Sequence, residues 1–304
     1  MAQGGADRLR TGADSGPEQG TDVLIAQITD IHIGFDPDNP AEYNRKRLDD
    51  VLDLLIEGPN RPDLLLATGD ITDRGDDDSY RRLVNAFSRC PFPVWPSVGN
   101  HDLRDNFHAR FPGFDDGNGF VQYVIELPEM RLVTIDTLEE GRHGGAFCDA
   151  RAAWLDAELA RDAAKPTYIV MHHPPVESGI EWMNTHPDDP WVGLFTDVVR
   201  RHPQVRGLIC GHLHRSVTVA WEGRTVAICS STAPQVSLDL RPIDANRPDD
   251  RPMIVAEDPA YALHRWNGRE LVSFYDHAGA HTMLAKYDQR LQPLVRELKA
   301  ERPA

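Results

Sequence analysis

Five short apolar runs in this chain each end in side chains that can bind a metal ion or carry a proton. This repeated pattern limits the possible folds more than any other feature. The five segments are Thr29-Asp30-Ile31-His32, Gly69-Asp70, Gly99-Asn100-His101-Asp102, Met171-His172-His173-Pro174 and Gly211-His212-Leu213-His214. In open α/β sheets, binding sites form beyond the carboxyl ends of the strands. The pattern therefore predicts an α/β chain whose strand ends converge on one site.

The spacing of apolar residues predicts an alternation of strands and helices between these segments. Strands are expected at 23–28, 64–67, 93–98, 167–171 and 207–210, hairpins within 121–135, 217–229 and 261–275, and helices at 41–57, 80–89, 150–163 and 194–201. Residues 176–193 have little periodicity, and both a lid over the site and a packed surface loop are possible. The final charged residues are expected to fray.

Composition excludes several classes of protein. A net charge of −16 repels a phosphate backbone, so we expect no binding to a nucleic-acid polymer. There is no run of about 18 apolar residues, so no membrane span is expected. Residues 1–20 lack an apolar core and are predicted to be a disordered leader rather than a secretory signal. We therefore expect a cytoplasmic location.

The polar groups at the strand ends suit a pair of metal ions. Two cations about 3.5–4 Å apart need a carboxylate that gives one oxygen to each, plus neutral donors that complete both shells. Asp70 suits the bridge, and the other candidates form two sets: Asp30, His32 and His214 for one metal, and Asn100, His172 and His212 for the other. Mixed imidazole and carboxylate ligands favour Mn, Fe, Co or Zn over Ca or Mg.

Such a centre would attract a small phosphate despite the acidic protein, because two divalent ions outweigh two ligating carboxylates. Water between two cations has a lowered pKa, so a metal-bridging hydroxide is the expected nucleophile. His101 follows Asn100 directly but is needed in neither shell. We therefore expect His101 to be catalytic, either contacting the phosphate or protonating the leaving oxygen.

The ordered set of five segments resembles the calcineurin-like metallophosphoesterase superfamily. The resemblance implies a four-layer sandwich of two mixed β-sheets flanked by helices, and the ligand roles given above. Met171-His172-His173-Pro174-Pro175 and the chain length are similar to bacterial class III cyclic-nucleotide phosphodiesterases and glycerophosphodiesterases. In that comparison His172, rather than His173, matches the ligand.

The resemblance also implies a domain organisation and partners. Residues 21–235 would form the catalytic core, and residues 236–304 a C-terminal extension that packs on it. Relatives use this last region for contacts between subunits and to wall the active site, so we expect a homo-oligomer. The candidate substrate-binding residues are Asn100, His101, His173, Trp182, Ser231 and Thr232.

The sequence leaves three functional readings open. The leading hypothesis is a binuclear metal phosphodiesterase acting on a small diester, either a cyclic nucleotide or a glycerophosphodiester. A phosphomonoesterase, or a phosphonate or organophosphate hydrolase, could use the same site. A catalytically inactive scaffold is the alternative of another class. It is disfavoured because holding seven polar groups in one cleft is costly without a ligand.

Overall fold

The computed structural model describes residues 22–302, so the predicted leader 1–20 lies outside the described residues. The strands are β1 (Asp22–Ile28), β2 (Leu64–Thr68), β3 (Val94–Ser97), β4 (Tyr123–Glu126), β5 (Arg131–Thr134), β6 (Thr167–Val170), β7 (Val205–Cys210), β8 (Val217–Trp221), β9 (Arg224–Ile228), β10 (Gln235–Val236), β11 (Ile254–Val255), β12 (Ala260–Asn267) and β13 (Leu271–His277). The helices are α1 (Tyr43–Glu57), α2 (Asp77–Phe87), α3 (Arg104–Arg110), α4 (Asp149–Ala160), α5 (Pro190–Arg200) and α6 (Gln292–Ala300).

Eleven of these strands form two large mixed sheets. The first has the order β13-β12-β1-β2-β3, and the second has the order β4-β5-β6-β7-β9-β8. Strands β1, β2 and β3 are mutually parallel, as are β5, β6, β7 and β9. The carboxyl ends of β1, β2 and β3 therefore meet at one edge of the first sheet. Those of β6 and β7 meet at one edge of the second.

The two sheets pack face to face with helices outside. In β6, Val170 belongs to the same buried cluster as Ile25 of the first sheet, whereas Ile169 belongs to a cluster with Leu155 of α4 and Phe195 of α5. Successive side chains of a strand point to opposite faces, so one face of the second sheet meets the first sheet and the other meets helices. Helices α1 and α2 also pack into the cluster of the first sheet. The predicted α/β fold class is confirmed.

Two helices begin at least three residues earlier than the apolar pattern indicated. Helix α2 begins at Asp77 because the side chain of Asp76 accepts a hydrogen bond from the Ser79 amide and caps it. Helix α5 begins at Pro190, a residue favoured at the first helical position. The predicted loop 176–193 is therefore shorter, and it contains a 3₁₀ turn at Glu181–Met183.

The expectation that the final residues fray is wrong, because Gln292–Ala300 forms helix α6. None of its residues is buried, and Leu294 and Leu298 are about half exposed. Packing in the described chain therefore contributes little to this helix. Among residues 22–302, no helix combines the length and apolar character that a membrane crossing requires.

Candidate metal centre

The structure brings the strand-end side chains of both sheets together. Asp70 Oδ2 lies 3.3 Å from His172 Nε2 and 3.8 Å from His32 Nε2. His214 Nε2 lies 3.4 Å from Asp30 Oδ1 and 3.3 Å from His32 Nε2. The carboxylate of Asp70 thus stands between His32 of the first sheet and His172 of the second. This is the position that a bridging ligand requires.

The other two candidate ligands lie beside this cluster. The ring centroids of His212 and His172 are 5.2 Å apart, and Asn100 and His212 both line the cavity above the site. Asn100 Oδ1 is 3.1 Å from His173 Nε2, and His173, His172 and His212 each offer a nitrogen that lies within 4.8 Å of the others. All seven residues expected as ligands therefore fall within one site.

Two buried atoms of the site lack a hydrogen-bond partner: Asp30 Oδ1 and His172 Nε2. The other oxygen of Asp30 is satisfied, because it accepts from Thr29 Oγ1 at 2.8 Å and from the His212 amide at 3.0 Å. His172 Nδ1 lies 2.9 Å from the carbonyl oxygen of Thr68 and donates to it. That bond leaves Nε2 as the ligating nitrogen. Metal ions bound at these atoms would satisfy both of them, so these residues fit a metal centre.

The pKa values of the site residues are set by their burial and by the charges of neighbouring side chains. Burial alone would raise the pKa of Asp30, but the charges of His214 and His172 outweigh it and lower the pKa to about 2. The pKa of Asp70 is likewise held well below its usual range by His172 and His32 against the opposing effect of burial. Burial and the charge of His172 lower the pKa of His212 to about 3. The site therefore presents two carboxylates and, at His212, a neutral imidazole. Burial would lower the pKa of His172, but the charges of Asp70 and Asp30 outweigh it and raise the pKa to about 9, so a metal that binds His172 would displace a proton.

Five of the candidate ligands have left-handed backbone conformations. They are Asp30 (φ 50°), His32 (φ 51°), Asp70 (φ 46°), His212 (φ 74°) and His214 (φ 52°). Such a conformation costs about 1–3 kcal/mol for a non-glycine residue and persists only where the surroundings enforce it. Strain of this kind clusters at functional sites, and here it turns the side chains inward at the strand ends.

The positions of Gly99 and Gly211 beside the ligands have no room for a side chain, because neighbouring atoms lie very close to them. A Cβ at Gly99 would lie 2.3 Å from Asp70 Oδ1 and 2.7 Å from His172 Nε2. A Cβ at Gly211 would lie 2.0 Å from Thr29 Oγ1. No side chain fits at these distances, so the two glycines let the strand ends of both sheets approach the centre.

Asp102, the last residue of its segment, has a structural role. It is buried and accepts hydrogen bonds from the amides of Ile71, Thr72 and Gly99 and from the Tyr80 hydroxyl. These bonds join the loops that follow β2 and β3. Asp102 therefore holds the Asn100-His101 turn against Asp70.

His101 lies beside the centre without being enclosed by it. Its Nδ1 is 2.9 Å from the Asp73 carbonyl oxygen, and its ring packs edge-on against His32 with centroids 4.6 Å apart. Its amide donates to Asp70 Oδ1 at 2.8 Å. The contact to Asp73 occupies Nδ1, so Nε2 is the nitrogen available to a substrate in the cavity that His101 lines.

The candidate substrate-binding residues divide into two groups. Trp182 lines the cavity, as do Asn100 and His101. Ser231 and Thr232 are fully buried, and their hydroxyls donate to the carbonyls of Ala233 and Ala260, respectively. The expectation that these two contact substrate is therefore not supported by their positions. His173 is also fully buried and positions Asn100 instead.

The cavity above the centre has a volume of about 810 Å³ and includes residues that sequence reasoning missed. Phe35, Tyr43, Asp73 and His143 all line it. Asp73 could have been found from its place three residues after Asp70, but nothing in the sequence marked His143. The exposed rings of Phe35, Tyr43 and Trp182 make part of the wall apolar. None of the described lining residues is a lysine or an arginine.

Sequence comparisons identify similar proteins. Residues 23–216 match the profile of a family described as calcineurin-like phosphoesterase. A protein of Arcobacter nitrofigilis named a probable glycerophosphodiester phosphodiesterase is 30% identical over 249 residues, covering 80% of this chain and 89% of the relative. A protein of Rhodopseudomonas palustris named a probable cyclic nucleotide phosphodiesterase is 35% identical over 189 residues, covering 59% of this chain and 67% of the relative.

A structural comparison agrees with these matches. A dimetal phosphatase from Danio rerio superposes with a TM-score of 0.57 at 16% identity, covering 83% of this chain and 98% of that chain. At this level of identity the likeness shows the fold alone. The family match, by contrast, covers residues 23–216 and therefore all five segments that carry the candidate ligands.

Proposed function

Because the chain belongs to the calcineurin-like phosphoesterase family, we propose that it is a metal-dependent hydrolase of small phosphodiesters. The observation that carries this proposal is the pair of orphaned buried atoms, Asp30 Oδ1 and His172 Nε2, which form a compact group with Asp70 at the base of a large cavity. The two relatives described above are named for glycerophosphodiesters and for cyclic nucleotides. Both classes of diester are candidate substrates.

We assign the ligands as the sequence suggested. Asp30, His32 and His214 would hold one metal, Asn100, His172 and His212 the other, and Asp70 both. The short distances around Asp70 and Asp30 support this assignment. Bound divalent metals supply Lewis acidity and lower the pKa of water to near neutrality.

The remaining residues act on the substrate. His101 presents Nε2 to the cavity, where it can donate a proton to the leaving oxygen or a hydrogen bond to the phosphate. The rings of Phe35, Tyr43 and Trp182 offer apolar surface to the ester arms. A phosphomonoester would bring a second negative charge, and Arg74 and Arg142 line a smaller cavity that shares Asn100 and His101 with the large one. The preference for diesters therefore rests on the names of the relatives.

A substrate panel tests the proposal. We expect protein reconstituted with Mn to hydrolyse bis-p-nitrophenyl phosphate faster than p-nitrophenyl phosphate, and to need two metal ions per chain for full activity. The panel should include cyclic AMP and glycerophosphodiesters, with metal analysis of the same samples. Full turnover with a single bound ion would contradict the two-metal centre. No turnover of any substrate at full occupancy would favour the scaffold alternative.

The homo-oligomer expected from the sequence also stays a prediction. Most of the exposed large apolar side chains lie between residues 238 and 298, and they include Val272 and Phe274 on β13. Strand β13 is the edge of its sheet among the described strands, so it can pair with the same strand of a second copy.

We expect light scattering after size exclusion to show an oligomer that Phe274→Glu weakens. Ala163→Glu, at an exposed site after α4, is the control. A monomeric wild type would contradict this prediction.

A further inference from the structure

Gln27 is a fully buried polar residue in a strand that is otherwise almost entirely apolar. Its Nε2 donates to Thr68 Oγ1 at 2.8 Å and to the Cys210 carbonyl oxygen at 2.9 Å. Its Oε1 accepts from His264 Nε2 at 3.0 Å. One amide therefore joins four strands: β1, β2 and β12 of the first sheet and β7 of the second.

The partners of this amide lead directly to the candidate metal centre. Cys210 ends β7, immediately before Gly211-His212, and Thr68 ends β2, immediately before Gly69-Asp70. The carbonyl of Thr68 also accepts the hydrogen bond of His172 Nδ1. Gln27 thus links the two sheets at the strand ends that carry the ligands.

The spacing between the sheets matters because the centre takes ligands from both. Asp30 Oδ1 of the first sheet lies 3.9 Å from His172 Nε2 of the second, and these two atoms are assigned to the two neighbouring metals that Asp70 would join, so a small change in the gap between the sheets would disturb both sites. Ligand-orienting groups typically change metal affinity by about 10–100-fold when they are removed.

His264 fixes the orientation of the amide. Its Nδ1 is 2.7 Å from Ser273 Oγ, and its Nε2 faces Gln27 Oε1. Burial lowers the pKa of His264 to about 4, so the ring is neutral at neutral pH and can carry its one proton on Nε2. The amide then keeps its NH₂ group toward Thr68 and Cys210, where both partners are acceptors.

We propose that Gln27 is a positioning residue that sets the distance between the two sheets at the metal centre. His264 fixes the orientation of the Gln27 amide. This inference rests on the proposed metal centre. Gln27 touches neither the cavity nor, by any described contact, a candidate ligand side chain. It acts through the side chain of Thr68 and the main chain of Cys210.

The test compares two matched substitutions. Gln27→Met keeps the side-chain length and removes all three hydrogen bonds. Gln204→Met is the control, because Gln204 is also buried and its Nε2 donates to the Leu159 carbonyl at the opposite end of β7. We expect Gln27→Met to lower Mn affinity about 10–100-fold in equilibrium dialysis, and Gln204→Met to leave it unchanged. Thermal unfolding of the metal-free proteins should show that both variants fold.

A second pair of variants, at His264, keeps the test decisive if Gln27→Met fails to fold. His264→Leu should lower Mn affinity, and His264→Gln, which can still donate to Gln27, should restore much of it. Unchanged Mn affinity in Gln27→Met or His264→Leu, or an equal loss of affinity in Gln204→Met, would overturn the positioning role of Gln27 and leave the proposed metal centre standing. Wild-type protein that binds no metal would instead overturn the proposed centre.

Discussion

Replacing Asp70 with alanine is expected to abolish binding of both metals and to lower kcat/KM by at least about 10³-fold. Asp70 Oδ2 lies within 4 Å of His32 Nε2 of one proposed shell and His172 Nε2 of the other, and Asp70 is the residue assigned to both metals. Losing several kcal/mol of electrostatic stabilisation of the transition state corresponds to this change in rate. Metal analysis after dialysis, together with diester hydrolysis, measures both effects.

Two further variants show whether the loss of metal and activity is specific to the bridging carboxylate of Asp70. Asp36→Ala removes an exposed carboxylate that lines the same cavity, and it should retain both metals. Asn100→Ala should weaken mainly one of the two sites, because Asn100 is assigned to a single shell. If Asp70→Ala kept two metals and normal turnover, Asp70 could not be the bridge.

Replacing His101 with alanine is expected to lower kcat by about 10²–10⁴, the range for losing a positioned acid or base, while metal content stays near wild type. His101 contacts the centre through its amide, which alanine retains. If His101 protonates the leaving oxygen, the loss will be greatest for alkoxide leaving groups and small for a p-nitrophenyl diester. If it only binds the phosphate, both substrates will suffer alike and KM will rise. Steady-state kinetics on both substrates separates these roles.

The contact between His101 Nδ1 and the Asp73 carbonyl requires a second variant. His101→Asn can still donate to that carbonyl but has no group in the place of Nε2. We expect it to be as slow as His101→Ala. Recovery of the rate in His101→Asn would show that His101 acts only by anchoring the loop. His108→Ala, at a half-buried position on α3 outside the cavity, controls for the loss of a histidine.

The candidate ligands and the fold class could be read from the sequence because their signals are local. Apolar runs that end in Asp, His or Asn mark strand ends, and parallel strands place those ends at one edge of a sheet. His101 could be found in the same way because it adjoins Asn100. The family resemblance depended on the same residues, and the comparisons confirm it.

Other functional features depend on contacts between residues far apart in the chain. His143 and Tyr43 come to the cavity from separate loop and helix positions, and no spacing rule connects them to the ligands. Ser231 and Thr232 have the polar side chains expected of substrate contacts, yet both point to backbone carbonyls inside the protein. A hydroxyl group can bind a substrate or donate to a buried carbonyl, so the residue type alone could not distinguish these two roles.

The sequence by itself determined which side chains end each strand, since strand formation depends on local apolar patterns. Only the tertiary structure decided how these side chains face one another. The left-handed backbone at Asp30 and Asp70, the orphaned nitrogen of His172 and the buried amide of Gln27 all arise from the packing of one sheet against the other. That packing brings together residues such as Gln27 and Cys210, which are 183 positions apart, and no local pattern encodes a distance between them.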